Sequence, residues 1–243
     1  MKKKYTVDAV IPLFNAEKFI EETILSCLNQ EYPIDRIIIV DDMSTDNSIE
    51  VIENLQKRYQ NITLIKSDKK LYTAGARNRG ILESNAEILL IIDADDIALP
   101  PKVSSCIDYF DDYNVAMVYS DYSSFNLEVG TDIREWKSHF SYGDIINEFV
   151  CSTQPLVRKS HIIDVDTYDD FLILEDFDLA IKLSEKYKII HHPESLFRYR
   201  VHSSQKTQAE KFGVTDDEQK LAKVKARLAI NDPYYRKKTI NVP

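Results

Sequence analysis

Glycine is scarce: five in 243 residues, Gly75, Gly80, Gly130, Gly143 and Gly213, and none falls in a GxGxxG or GxxxxGK pattern. This excludes the glycine cradles in which the backbone closes on a dinucleotide or a P-loop triphosphate. Cysteine is scarcer still. Cys27, Cys106 and Cys151 are odd in number, far apart and in no CxxC pair. That excludes a disulfide framework and a thiolate zinc site, and it fits a reducing cytoplasm. The longest aliphatic runs, residues 37–40 and 88–92, fall far short of the roughly 20 apolar residues of a membrane helix. Membrane contact is therefore expected to be peripheral at most. The basic start Met1-Lys2-Lys3-Lys4 meets Asp8 and Pro12 too soon for a signal peptide. Positive charge is in deficit as well, with 31 Lys and Arg against 40 Asp and Glu, a net charge of −9 and scattered cations. No nucleic-acid partner is expected, because phosphate neutralisation needs a basic face. Internal repeats and low-complexity tracts are absent too.

What is present is an α/β rhythm. Short β-branched runs alternate with polar turns and helical periodicity over the first hundred residues, the pattern of a mainly parallel sheet wrapped by helices. Strands are expected at 5–13, 36–40, 62–66 and 87–92. One helical face carries Phe19, Ile20, Thr23, Ile24, Cys27 and Leu28, and a second carries Ile49, Ile52, Leu55 and Tyr59. Asn15 and residues 44–47 read as helix caps. After Pro100-Pro101 come a helix at 102–111, a strand at 116–120 and a stretch without clear period to 174. That stretch holds Tyr119, Tyr122, Phe125, Trp136, Phe140 and Tyr142, which either stack on sugar rings or fill the core beneath long loops. A helix at 175–187 follows, then strands at 188–191 and 196–202. Thr215-Asp216-Asp217-Glu218 is a capping box that opens a final helix with Leu221, Val224 and Leu228 on one face. The last residues read as a flexible basic tail.

The chemistry-bearing residues are acids placed where strands end. Asp41 and Asp42 follow the run at 37–40, and Asp93, Asp95 and Asp96 follow the run at 88–92. In an open α/β sheet the ligand crevice lies at the carboxyl ends of the strands, so both clusters face one site. Carboxylates and water suit Mg2+ or Mn2+, with a substrate's phosphates completing the shell. Such aspartates also form turns and caps on their own account. It is the pair of clusters that favours the metal.

The segments Val10-Ile11-Pro12-Leu13-Phe14-Asn15, Val40-Asp41-Asp42-Met43-Ser44-Thr45-Asp46, Ala76-Arg77-Asn78-Arg79-Gly80, Asp93-Ala94-Asp95-Asp96, Glu175-Asp176 and Tyr199-Arg200-Val201-His202 come in an order that resembles the family 2 glycosyltransferases of the GT-A fold. The resemblance covers residues 5–205 and implies a Rossmann-like, mainly parallel central sheet with helices on both faces. It implies a nucleotide-binding half at 1–100 and an acceptor-binding and catalytic half at 101–205; the helical tail at 206–243, read from its own pattern, lies outside the resemblance. It further implies inverting, metal-dependent transfer from a nucleoside diphosphate sugar, with UDP the expected nucleotide, to a hydroxyl of a glycan or glycolipid. Carried over residue by residue, Asp42 is similar to the aspartate that binds the nucleotide base, with Pro12, Phe14 and Asn15 beside it. Asp93 and Asp95 resemble the DxD pair, Asp93 nearer the ribose and Asp95 on the metal. Asp176 resembles the catalytic base and His202 a histidine that completes the metal shell. Arg77 and Asn78 are placed in the nucleotide pocket. Met43 stands where many relatives have glycine, and the run before Glu175 lacks a glycine often found there.

Other readings compete. Acids at a helix start are favoured by the macrodipole alone, which is the plain account of Glu175 and Asp176. His139, His161, His191 and His192 read as structural or exposed. A haloacid-dehalogenase-type phosphatase shares a strand followed by DxD, but it wants Thr or Val where Ile97 stands. A phosphoreceiver domain has about half this length. A non-catalytic nucleotide-sugar-binding relative has the same motifs, and turnover of a donor is what separates it from an enzyme.

Overall fold

The structure is a computed structural model that describes residues 4–126, 131–136 by backbone only, 154–169 and 175–202. The elements run β1 (Val7–Leu13), α1 (Ile20–Leu28), β2 (Arg36–Asp41), α2 (Ser48–Gln56), β3 (Ile62–Lys66), α3 (Tyr72–Glu83), β4 (Ile88–Ile91) and β5 (Ile97–Ala98). They continue with α4 (Lys102–Cys106), a 3-10 turn (Ile107–Asp111), β6 (Val115–Asn126), β7 (Thr131–Trp136), β8 (Leu156–Arg158), α5 (Lys159–Asp164), α6 (Glu175–Ser184) and β9 (Lys188–Arg200). One sheet holds the strands in the order β3-β2-β1-β4-β8-β6-β9-β5, with β7 on β6. β3, β2, β1 and β4 are parallel, as are β6 and β9, whereas β8 runs antiparallel between β4 and β6.

The expected mainly parallel α/β sheet is what forms. Residues 37–40 are solvent-free on both faces, the condition under which a strand reads as a continuous aliphatic run. Alternate residues of β1, β2 and β4 feed two cores. Val7, Ile11, Ile37, Ile39 and Leu90 pack with α1, α2 and α4, while Val10, Leu89 and Ile91 pack with α3, α5 and α6. Helices therefore cover both faces. Each fully buried Val, Ile or Leu contributes about 1.5–3 kcal/mol.

One helix goes unannounced in the sequence, and three local expectations are corrected. α3 has no apolar stripe to announce it; it lies against the sheet through Ala74, Ala76 and Gly80. A Cβ at Gly80 would sit 2.5 Å from Val10 Cγ1, so only glycine allows that approach. The strands expected at 188–191 and 196–202 are one strand, whose register against β6 slips around Pro193, which has no N–H to give the ladder. The sixth helix ends at Ser184 rather than at 187. Asn15 is not a cap: it takes a positive φ of 49° and its Oδ1 accepts the Thr45 N–H at 2.7 Å, tying two loops together. Within the expected 44–47 stretch, Asp46 Oδ1 accepts the Ser48 N–H at 3.0 Å at the start of α2. Tyr119 and Phe125 are core residues, and Tyr122 stacks on Phe197 with centroids 5.0 Å apart. The side chain of Trp136, and Phe140, Tyr142, His139, Cys151 and the expected helix and tail beyond 205, lie outside the described residues.

Candidate functional site at the carboxyl ends of the strands

β1, β2 and β4 end side by side, and the loops that leave them build the site. Asp42, just past β2, is buried. Its carboxylate accepts the backbone N–H groups of Leu71 at 2.5 Å and Tyr72 at 3.0 Å, and Lys70 Nζ lies 3.0 Å from Oδ2. The same ammonium stands 3.1 Å from the centroid of the Phe14 ring, which is 51% exposed. Asn15 and Met43, in the loops after β1 and β2, and Tyr72, the first residue of α3, all have positive φ, with Met43 at 66°. That is the backbone that glycine adopts without strain, which explains why glycine suits the Met43 position. Pro12 lies in β1 beyond the last β1–β4 pair.

The second cluster follows β4. Asp93 accepts from Arg77 Nη2 at 2.6 Å, and its backbone N–H donates to Gln154 Oε1 at 2.9 Å. Gln154 Nε2 donates to Asp96 Oδ2 at 2.6 Å, and the Arg200 N–H donates to Asp96 Oδ1 at 2.9 Å. Asp95 lies with Oδ2 2.9 Å from His202 Nε2, and the His202 ring packs on Phe19 at 4.5 Å. Arg200 locks this corner by donating to the Asp95 carbonyl at 2.8 Å and to Glu22 Oε2 at 2.5 Å. Burial, and then Asp93, push the Asp95 carboxyl above its ordinary value against the pull of His202. Burial, then Asp95 and Asp93, push Asp96 well above its own. Full ionisation of the cluster is thus disfavoured, first by burial and then by the neighbouring carboxylates.

Arg77 joins this cluster to α6. It is 1% exposed, and Nη1 donates to Glu175 Oε1 at 3.2 Å and to Asp176 Oδ1, while Nη2 serves Asp93. Burial opposes its charge, but Asp176, Asp93 and Glu175 outweigh that and hold the guanidinium well above its ordinary value. Asn78 binds the backbone of Tyr168. Its amide donates to the Tyr168 carbonyl at 2.8 Å and accepts the Tyr168 N–H at 3.0 Å, holding that ring 5.3 Å from the Arg77 guanidinium. The structure therefore gathers Asp93, Asp95, Asp176, Arg77 and His202 at one centre, with Asp42, Phe14 and Asn15 at a neighbouring one. Gln154, Lys70 and Glu22 carry no motif and were not legible beforehand; only the fold brings them in.

Among the described histidines, His161 is buried between Tyr113 and Tyr187, His191 pairs with Asp121 at 2.7 Å, and His192 lies 3.2 Å from the Tyr109 hydroxyl. Cys27 and Cys106 are free and buried, and burial pushes the Cys27 thiol up to about 12.

A family profile described as Glycosyl transferase family 2 matches residues 8–172, more than half of the chain. The chain belongs to this family. An uncharacterized glycosyltransferase of Haemophilus influenzae is 25% identical over 215 residues, 82% of this chain and 66% of its own length. An Escherichia coli UDP-Glc:alpha-D-GlcNAc-diphosphoundecaprenol beta-1,3-glucosyltransferase is 29% identical over 154 residues, 63% of this chain and 61% of its own. The chain spans about half to two thirds of the length of the first curated relatives it matches. Its fold matches that of S. aureus TarS 1-349 crystallised with UDP-GlcNAc, with a TM-score of 0.78 at 15% identity over 96% of this chain and 69% of the other. This family 2 chain therefore has the GT-A arrangement that its sequence resembles. No described helix is long and apolar enough to cross a membrane.

Proposed function

We propose that this chain transfers a sugar from a nucleoside diphosphate sugar, UDP-linked by preference, to a hydroxyl of a glycan or glycolipid, with inversion. The observation that carries the reading is the convergence of Asp93, from the end of a parallel strand, and Asp176, from a helix start 83 residues on, upon the buried Arg77. Family membership and the printed names of the relatives support it; the E. coli relative names a lipid-linked acceptor and the TarS structure a UDP-linked donor.

In this reading residues 1–100 bind the nucleotide and 101–205 the acceptor. Asp42 takes the base, Phe14 offers its exposed face for stacking, and Pro12 and Asn15 shape that loop. Asp93 faces the ribose. Among the described residues no set of three His, Cys, Asp or Glu side chains is arranged to hold a metal alone. Asp95 and His202 fit a Mg2+ or Mn2+ ion whose remaining ligands are donor phosphates and water, the usual manner for these cations. A cation there would favour the ionised carboxylate that burial and the neighbouring acids disfavour. When bound, the ion supplies a positive charge to the diphosphate as it leaves. Asp176 accepts the proton of the acceptor hydroxyl, whose oxygen bonds to the anomeric carbon as the carbon–phosphate-oxygen bond breaks and its electron pair departs with the nucleoside diphosphate. A cytoplasmic protein, peripheral to the inner face of a membrane where lipid-linked acceptors sit, suits this chemistry.

Calorimetry tests the reading. UDP is expected to bind at least tenfold more tightly with Mn2+ than with chelator, about 1.4 kcal/mol. Donor hydrolysis without acceptor, or transfer to one, is expected in the same buffer. Equal affinity in both buffers rules out the metal role, and an absence of turnover makes the chain a binder.

A further inference from the structure

We infer that Arg77 is a positioning residue for the reaction, which aims the Asp176 carboxylate and sets how readily it takes a proton, rather than a ligand of the nucleotide. The inference rests on the assignment of Asp176 as the base. Its grounds are geometric. One guanidinium spans two elements, with Nη2 on Asp93 from the loop after β4 and Nη1 on Glu175 and Asp176 at the first turn of α6. Its Nε has no hydrogen-bond partner among the described residues, so the terminal nitrogens alone set where the group sits. Tyr168 backs it, pinned through its own backbone by Asn78. At 1% exposure the side chain is enclosed by protein, and both of its terminal nitrogens are already committed to carboxylates.

Arg77 from α3, Glu175 beside it and the Tyr168 hydroxyl face Asp176, with Asp93 from the β4 loop on the other nitrogen of the same guanidinium; Asp178 and Lys182 pair further along the same helix. Three of these neighbours are anionic or become so on losing a proton, and Arg77 is the cation in direct contact with Asp176. A carboxylate that loses an arginine partner takes up its proton about 1–3 pH units higher. Removing Arg77 must therefore raise the pH at which the base is lost and leave the alkaline side less affected. A purely structural role lowers the rate equally at every pH.

The test is the pH–rate profile of kcat at saturating donor for the full chain and for Arg77→Lys, Arg77→Met and Arg77→Met with Glu175→Gln. The last of these relieves the charge left behind, so that a folded protein is available, as checked by thermal melting. The acidic limb is expected to move up by about one pH unit or more in both Met variants. In Arg77→Lys, which keeps the charge and loses the fork, it is expected to stay near its original place while kcat falls about tenfold or more. The donor KM is expected to change less than threefold throughout. An unmoved acidic limb in the folded double variant, or a KM that rises with kcat preserved, overturns the inference and returns Arg77 to the nucleotide. Asp176→Asn in parallel keeps the two readings apart. If it transfers normally, the base assignment itself is wrong; if it is inactive and the Arg77 profiles do not shift, only the role of Arg77 is.

Discussion

Arg77 and Lys102 are both fully buried, and they live under opposite conditions. Arg77, on α3, meets three carboxylates, and its charge is held more firmly than in water. Lys102, at the start of α4, meets the Ser120 hydroxyl at 2.7 Å and the face of Phe197 at 5.2 Å, and burial pulls its ammonium down to about 8. A carboxylate partner is the difference. Where burial is matched by anions, the charge is integral to the site; where it is met only by a hydroxyl and a ring, the charge is a net cost that the core carries.

The largest expected effect follows from the first environment. Arg77→Met leaves Asp93, Glu175 and Asp176 without their counter-ion, and urea unfolding should show a loss of about 3–5 kcal/mol. Adding Glu175→Gln should restore part of it. A neutral result would mean that the three carboxylates find other partners and that the two cations are alike after all.

Next in size is the chemistry that Arg77 supports. Asp176→Asn keeps the shape and a hydrogen bond to the guanidinium but cannot accept a proton, so transfer should fall by about 10²-fold or more with donor affinity within about twofold. Weakened donor binding of the same magnitude would instead make Asp176 part of the donor site.

The second environment predicts the opposite sign. Lys102→Met has nearly the same length, and Ser120 keeps its own donation to the Asp121 carbonyl at 3.0 Å. The folded-state value of about 8 lies below the ordinary 10.5, so the folded protein gives up this proton first. Below about pH 8 both states carry the charge and its burial cost is full; between about 8 and 10.5 the cost fades; above that it is gone. At pH 7 the variant should therefore be more stable by on the order of 2 kcal/mol, with the advantage shrinking toward pH 10. Destabilisation at pH 7 would show that the Ser120 and Phe197 contacts outweigh burial.

The smallest effect calibrates the others, away from both cations. Met43→Gly relieves a positive φ at a half-exposed site, and the melting temperature should rise by about 1–2 °C. A fall would mean that the Met43 side chain packs on its neighbours more than its exposure suggests.

Much of this was legible in advance, for local reasons. The strands at 36–41 and 88–91 were visible because a strand buried on both faces has to be aliphatic along its buried run. The acids at their ends were visible because the loops leaving a parallel sheet are short. α3 was not, since a helix that packs through Ala74, Ala76 and Gly80 shows small residues where periodicity looks for large ones. Gln154 was invisible for another reason: a lone glutamine has no spacing to betray it, yet its side chain bridges the carboxylates of Asp93 and Asp96.

By itself the sequence determined β1 to β4, β6 and β9 in outline, most of the helices, and that acids would crowd the carboxyl ends of the sheet, because those depend on residues a few positions apart. Only the tertiary structure decided which charges meet. Arg77 and Asp176 are separated by 99 positions and Asp95 and His202 by 107, and each pair forms where helices and strands from different parts of the chain close over the same sheet. An ion pair that excludes water depends on distance and enclosure, which no stretch of chain possesses before it is folded against another.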